Sequence, residues 1–353
     1  MGLNLLDSIG LGFVPNAARV LRTLWRTAKP NLEASEEMKT INGTKIFVRD
    51  VGSVEAPVII AVHGGPGGSH LGMLPLERLA PDFRIIFYDQ RGTGKSDRHN
   101  VSAMDQFGLE ALSLERNVED IEELRKIIGR DKVSMIGHSN GGALATFYAA
   151  KYPHHIDKLI IYSGGPEDTD LADRKMQRHL ARMPESQKNL LKQYTDSLQI
   201  GVEQNVSQDE LDELFTRVVG LMIPYLYYIP PKSPIVTGRL GFWASQAVAK
   251  YIDSFDRKSF VSHLNKIKSP TLLIWGLFEP APQGRLLYLL ENIPNSQLAV
   301  FEKSSHNAMK EEPDLFFKTL LEFLTDRPIE MRTRSWKEEP PTVSLQGPTL
   351  RKF

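Results

Sequence analysis

The sequence predicts an α/β fold: a mostly parallel central sheet flanked by helices, with a helical cap inserted after the sixth strand. Three observations predict it. The runs "APVIIAVHGG", "FRIIFYDQRG", "KVSMIGHS" and "IDKLIIYSGG" are short, rich in Ile and Val, and each is followed by helical periodicity. Alternation of that kind builds a parallel sheet buried on both faces. After Gly165 about a hundred residues show only helical spacing before strand-like "PTLLIWG" begins at Pro270, a gap too long for an ordinary connection. Finally, "MIGHSNGGAL", Met135 to Leu144, sets a Ser-Asn pair between glycines where a strand-like run gives way to an Ala-rich, helix-like one.

Residues 1–36 read as a helical extension. The stretch "NLLDSIGLGFVPNAARVLRTLWRTAKP" mixes large apolar residues with Arg19, Arg22, Arg26 and Lys29, so its second half is expected to form a basic amphipathic helix. Such a helix packs on the body or a partner subunit, or else serves a membrane surface or targeting. The body occupies 37–165 and 269–326. It opens with "KTINGTKIFVRDVG", a hairpin whose Asn42-Gly43 pair accepts the positive φ of a tight turn. The cap spans 166–268, where "LADRKMQRHLARM", "QDELDELFTRVVGLM" and "FWASQAVAKYIDSF" have helical spacing around Pro-rich "YIPPKSP". A strand, a helix near Pro282 to Asn292, a last strand in "SQLAVFEKSSH" and a helix from about Glu312 to Leu324 complete the body. The tail, 327–353, is basic, Pro-rich and without periodicity, so it is expected to be extended or partly disordered.

Composition narrows the function by exclusion. The 353 residues carry 43 Lys plus Arg against 43 Asp plus Glu, which leaves no global field directed at nucleic acid, a membrane surface or a strongly charged substrate. Cysteine is absent, which excludes disulfides, a thiol nucleophile and Cys-ligated zinc, and no metal or cofactor is called for. No run reaches the roughly 18 apolar residues of a membrane span, and the N-terminus lacks the pattern of a secretory signal. The absence of cysteine leaves the redox compartment open, and a cytoplasmic setting is the default expectation. The expected partner is a small-molecule or short-peptide substrate, with a homo-oligomer formed through the N-terminal helix or the cap as a further expectation.

Gly137-His138-Ser139-Asn140-Gly141 is a G-x-S-x-G sequence at a strand-to-helix junction. A serine on so sharp a turn projects its oxygen above the sheet, and small neighbours let the crossing chains approach, so Ser139 is the candidate nucleophile. A serine hydroxyl needs a base to take its proton and donors for the oxyanion that forms. His63-Gly64-Gly65-Pro66-Gly67 follows the "VIIAV" strand, and the N–H groups of Gly65 and Asn140 are the candidate oxyanion hole. His306, in the loop between the last strand and the last helix, is the candidate base. His63 and His138 are expected to shape the site, and His154 and His155 to lie at the surface. The acid that orients His306 is expected at Glu279, just past "TLLIWG", with Glu167 and Asp168 past the preceding strand as competitors. "VVGLMIPYLYYIPP", Val218 to Pro231, is expected to be cap core or to line an apolar pocket, with Tyr225, Tyr227, Tyr228 and Trp243 as candidate substrate contacts.

With these motifs in place the chain resembles an α/β-hydrolase with a cap, and its "HGGPGG" and "YDQRGTGKSD" stretches resemble the prolyl iminopeptidase branch. The resemblance spans about Glu37 to Leu324 and is specific from Val58 to Asp97 and around Ser139. It implies Ser139 as nucleophile, His306 as base, Glu279 as acid and Gly65 with Asn140 as oxyanion donors, with Asp89, Arg91 and Asp97 bracing the adjoining loop. The departures carry equal weight. The branch typically has Trp where this chain has Asn140, Asp where it has Glu279, and a W-x-x-W-E-like cap motif, absent here, whose acid helps hold the substrate's amino group. The expected activity is thus a metal-free serine hydrolase (an esterase or lactonase) that cleaves an ester, lactone or amide of a small, largely apolar substrate. The alternatives are a prolyl iminopeptidase-like aminopeptidase and, behind it, a ligand-binding receptor that keeps the triad.

Overall fold

The computed structural model describes residues 34–98, 106–231 and 238–329. The expected N-terminal helix and most of the expected tail lie outside the described residues. Among the described residues eight strands form one sheet: β1 (Ala34–Ile41), β2 (Thr44–Val51), β3 (Val58–Val62), β4 (Arg84–Tyr88), β5 (Val133–His138), β6 (Ile156–Tyr162), β7 (Thr271–Gly276) and β8 (Ser296–Phe301). Their order across the sheet is β1-β2-β4-β3-β5-β6-β7-β8. β1 and β2 pair antiparallel, as do β2 and β4, and every other pair is parallel.

The strand sequences explain this arrangement. Every residue of β3 and of β7 is buried, so these strands need no polar face, and their side chains divide between two cores by simple alternation. Ile60, Val62, Met135, Ile161 and Leu273 enter one core, whereas Ile59, Ala61, Ile136, Ile160 and Leu272 enter the other. The hairpin closes through Asn42 (φ 46°) and Gly43 (φ 78°) between the paired Ile41 and Thr44. β1 begins at Ala34, ahead of Glu37, because pairing with β2 runs back to Ala34 opposite Val51. Most of β1 is exposed, so hydrophobic patterning gave no sign of those first residues.

Between β6 and β7, among the described residues, lie five helices: α4 (Thr169–Leu180), α5 (Glu185–Glu203), α6 (Gln208–Met222), α7 (Phe242–Ser254) and α8 (Arg257–Leu264), with a short 3-10 turn at Ile223–Leu226. The earlier helices are α1 (Gln106–Ala111), α2 (Leu114–Ile128) and α3 (Asn140–Lys151); the later ones are α9 (Gln283–Asn292), α10 (Ala308–Glu311) and α11 (Pro313–Leu324). The inserted helices build a small core of their own, in which Leu198, Leu211, Phe215, Phe242 and Trp243 are buried together. A full capping box starts α6, with Ser207 and Glu210 bonding reciprocally to each other's backbone N–H. Because β3, β5, β7 and β8 run parallel, the loops that follow them emerge at one end of the sheet, where open α/β sheets place their ligands.

Candidate active site

Ser139 ends β5 with φ 55° and ψ −124°, a conformation that L side chains rarely adopt. Holding a non-glycine residue there costs about 1–3 kcal/mol and requires surroundings that leave no alternative. Backbone bonds on both sides supply them: Ser139 N donates to Tyr162 O at 2.9 Å, and Gly142 N donates to Ser139 O at 2.9 Å. The flanking glycines are required by contact. A Cβ on Gly137 would lie 2.3 Å from Gly141 O, and one on Gly141 would lie 2.2 Å from Val62 O. Serine at the start of a helix ordinarily bonds back to the first turn. Ser139 makes no such cap, so its hydroxyl is not spent on α3.

The loop after β3 crosses directly over this turn, where a Cβ on Gly64 would lie 2.7 Å from Ser139 Cβ. His63 holds the loop. Its Nε2 accepts from Gln90 N at 3.0 Å, so Nδ1 carries the proton and donates to Gly64 O at 2.9 Å, while Gln90 Nε2 donates to His63 O at 2.7 Å. Burial pushes the His63 imidazole toward its neutral form, which suits a bracing group and not a base. Gly65 N and Asn140 N donate to no backbone carbonyl in the described turns and loops. Asp89 accepts from His70 N at 2.7 Å and Lys95 N at 2.8 Å, Arg91 grips Asp120 through Nε (2.6 Å) and Nη2 (2.7 Å), and Asp97 accepts from Lys45 N at 3.3 Å. All three brace the loop.

Glu279 and His306 come together although 27 residues separate them. Nδ1 of His306 donates to Glu279 Oε2 at 2.7 Å, and both side chains are almost wholly buried. The second carboxylate oxygen accepts from Ala281 N at 3.1 Å. Burial alone would raise the Glu279 carboxyl, but His306, Arg285 and the Ala281 N–H outweigh it and hold it down to about 2. A carboxyl depressed below the ordinary 4.5 stabilises the fold above that pH and loses its contribution as pH falls toward about 2. With Nδ1 committed to the carboxylate, Nε2 is the acceptor of the neutral ring, which is the tautomer a base needs. The neighbour of the serine, His138, donates from Nε2 to His306 O at 3.1 Å, with the two rings 5.0 Å apart. Burial, chiefly, pushes His138 down to about 3, so it stays neutral. Among the described residues no hydrogen bond joins Ser139 Oγ to the imidazole, and the two loops meet through His138.

The competing carboxylates are engaged elsewhere. Glu167 pairs with Lys175 through Oε1 and with Arg285 through Oε2 at 2.7 Å. Asp168 caps α4 by accepting from Leu171 N at 3.1 Å and faces Arg257 at 3.2 Å. His154 is exposed, but His155 is only half so and lies 3.2 Å from Glu122.

In the helical segment inserted between β6 and β7, Tyr225 is half-buried and Tyr227 is buried, its phenol pushed up to about 12 by burial and by nearby Glu311. Tyr228 stacks on Phe278 at 4.2 Å. Trp243 is buried against Phe242, and its indole N–H has no hydrogen-bond partner among the described residues. Three residues at the site had no sequence signal. Arg182 donates to Phe278 O, Ser305 Oγ and Tyr225 O. Glu311 accepts from Ser305 N at 2.9 Å, from Asn307 N at 3.3 Å and from Tyr228 N. Ser305 donates from Oγ to Phe278 O at 2.8 Å. Their partners lie up to 123 residues away in the chain, so local pattern carries no trace of them. Among the described residues no group of three His, Asp or Glu side chains could hold a metal, and no helix is long and apolar enough to cross a membrane.

Residues 57–313 match the model of the alpha/beta hydrolase fold. This chain belongs to that family. The hydrolase is 30% identical over 283 residues to a proline iminopeptidase of Saccharolobus solfataricus, covering 75% of this chain and 84% of that protein. It is 31% identical over 290 residues to a proline iminopeptidase of Thermoplasma volcanium, covering 76% and 89%. Among solved structures it resembles the proline iminopeptidase of Mycobacterium smegmatis, with a TM-score of 0.57 at 20% identity, covering 83% of this chain and 98% of that one.

Proposed function

We propose that this hydrolase cleaves an ester, lactone or amide of a small, largely apolar substrate through an acyl-enzyme on Ser139. The observation that carries the reading is the buried His306–Glu279 pair, bonded at 2.7 Å, at the sheet end where Ser139 is held in a strained turn. In the first step Nε2 of His306 takes the Ser139 proton as Oγ attacks the carbonyl carbon, and the N–H groups of Gly65 and Asn140 receive the developing oxyanion. The imidazolium, stabilised by ionised Glu279, returns its proton to the leaving group, and the C–O or C–N bond breaks. Water, deprotonated by the same imidazole, then attacks the acyl-enzyme and regenerates Ser139.

The similarity to proline iminopeptidases favours a second reading, release of an N-terminal residue from a short peptide. An aminopeptidase needs a carboxylate for the substrate's ammonium group. Glu167 is consumed by Lys175 and Arg285, and Glu311 by backbone N–H groups, which supports the ester or lactone reading over the peptidase one. A panel of aryl esters, lactones and prolyl arylamides separates the cases. The expected result is highest kcat/KM on an apolar ester or lactone. Strong turnover of the prolyl arylamide alone overturns the ranking, and no turnover of any substrate favours a receptor.

The cap is expected to set selectivity. Exchanging Tyr225, Tyr227 or Tyr228 for Ala should alter the ratio of kcat/KM between two esters by about tenfold, because a pocket contact contributes about 1–3 kcal/mol. Tyr228, stacked on Phe278, should show it most clearly. Three variants with lowered Tm and an unchanged substrate ranking would make the tyrosines cap core.

A further inference from the structure

Arg182 follows α4 in the cap, yet its guanidinium reaches into the body. Nη1 donates to Ser305 Oγ at 3.0 Å and to Tyr225 O at 3.3 Å, and Nη2 donates to Phe278 O. Ser305 Oγ in turn donates to Phe278 O at 2.8 Å, closing the triangle. Ser305 immediately precedes His306, and Phe278 immediately precedes Glu279. One cap side chain therefore clasps the residue before the base to the residue before the acid.

The same two loops carry further bonds to the cap. His306 N donates to Leu226 O at 2.9 Å, so the main chain of the base is itself tied to the 3-10 turn after α6. Glu311 binds Tyr228 N on the cap side and Ser305 N and Asn307 N on either side of His306. Arg182 is half-buried and forms no ion pair among the described residues; its direct partners are neutral oxygens, with Glu279 and Glu311 within electrostatic reach. Withdrawing even part of a cation from water to face neutral acceptors costs free energy. A residue serving only to fill space would be better replaced by an apolar one.

We infer that Arg182 is a positioning residue: it fixes the spacing of the loops bearing Glu279 and His306, so that the cap is a working part of the acid–base pair and not a detachable cover. The inference rests on the proposed roles of those two residues. Its physical basis is that displacing a catalytic group by about 1 Å costs about a hundredfold in rate, while substrate binding in the apolar part of the pocket is unaffected.

The test uses the full chain and the best ester of the panel. Arg182→Met keeps the length and loses the donors; kcat should fall about 30- to 300-fold with KM within about threefold, and labelling of Ser139 by a fluorophosphonate should slow in parallel. Arg182→Lys, which keeps the charge and donors but on a single nitrogen without the planar fork that spans Phe278 O and Ser305 Oγ, should recover part of the loss. Ser305→Ala should cost less than Arg182→Met alone and add little in the Arg182→Met background, because both act through the same contact. A folded Arg182→Met with near-normal kcat, or one changed only in KM, overturns the inference. If Arg182→Met does not fold, Arg182→Lys and Ser305→Ala carry the test, and additive losses in their double mutant overturn it. Ser139→Ala measured alongside keeps the two claims apart: full activity in that variant removes the catalytic reading itself, whereas its inactivity beside an unimpaired Arg182→Met removes only the clasp.

Discussion

Ser139→Ala is expected to lower kcat by about a millionfold, the loss seen when a nucleophilic serine is removed from a working triad, and to leave the fold intact. Both halves of this expectation follow from the turn. Ser139 is held at φ 55° by its backbone bonds to Tyr162 O and from Gly142 N, and by the close passage of Gly137 and Gly141. None of these involves the hydroxyl. Because Oγ does not cap α3, its removal costs the helix nothing, and a Tm within a few degrees of the parent should accompany the loss of activity. A fluorophosphonate should label the parent at Ser139 and leave the variant unlabelled. A folded alanine variant with activity within tenfold of the parent would end the acyl-enzyme mechanism.

The parts of this molecule that were legible in the sequence are those whose causes are local. The two-sided burial of β3 and β7 shows as unbroken apolar runs, and the Ser139 turn shows because the crossing chains at Gly137 and Gly141 tolerate no side chain. The hairpin shows because Asn42 and Gly43 accept positive φ. The clasp made by Arg182 was invisible for the opposite reason. Its acceptors are two main-chain carbonyls and a serine hydroxyl, all distant in the chain, and a carbonyl has no signature in a sequence. α5 was faint as well, since only Leu198 and Gly201 of its residues are buried. A helix with so narrow an apolar stripe is supported by surface pairs such as Lys192 with Asp196, at i and i+4.

The candidate acid is the member of the proposed site that the sequence constrains least, since a carboxylate can come from the end of either β6 or β7. The geometry separates these possibilities by what each oxygen already does. Glu167 has both oxygens on cations, and Asp168 has one on the N-terminus of α4 and one facing Arg257. Of these three carboxylates only Glu279 bonds the imidazole, and its side chain meets Nδ1 at 2.7 Å while the other oxygen holds Ala281 N.

Glu279→Gln should therefore lower kcat by about a thousandfold to ten-thousandfold, with little change in KM, as when a triad carboxylate becomes an amide. The direction of the amide is decided by Ala281. Its N–H is a donor 3.1 Å from Oε1, so the glutamine must turn its carbonyl oxygen there and present its NH2 to His306. An NH2 donates to Nδ1, which forces the ring proton onto Nε2, the wrong tautomer for taking a proton from Ser139. The charge that stabilises the imidazolium is lost at the same time. Glu279→Asp should be milder, because the charge and the acceptor survive and only the reach is shortened by one methylene. Asp168→Asn should leave kcat nearly unchanged, and Glu167→Gln should lower Tm, by weakening a buried pair with Arg285, while the folded enzyme keeps its kcat. Kinetics of these four variants on one ester check the assignment: a Glu279→Gln enzyme within tenfold of the parent, beside a crippled Glu167→Gln or Asp168→Asn, would move the acid to the end of β6 and leave Ser139 and His306 in their roles.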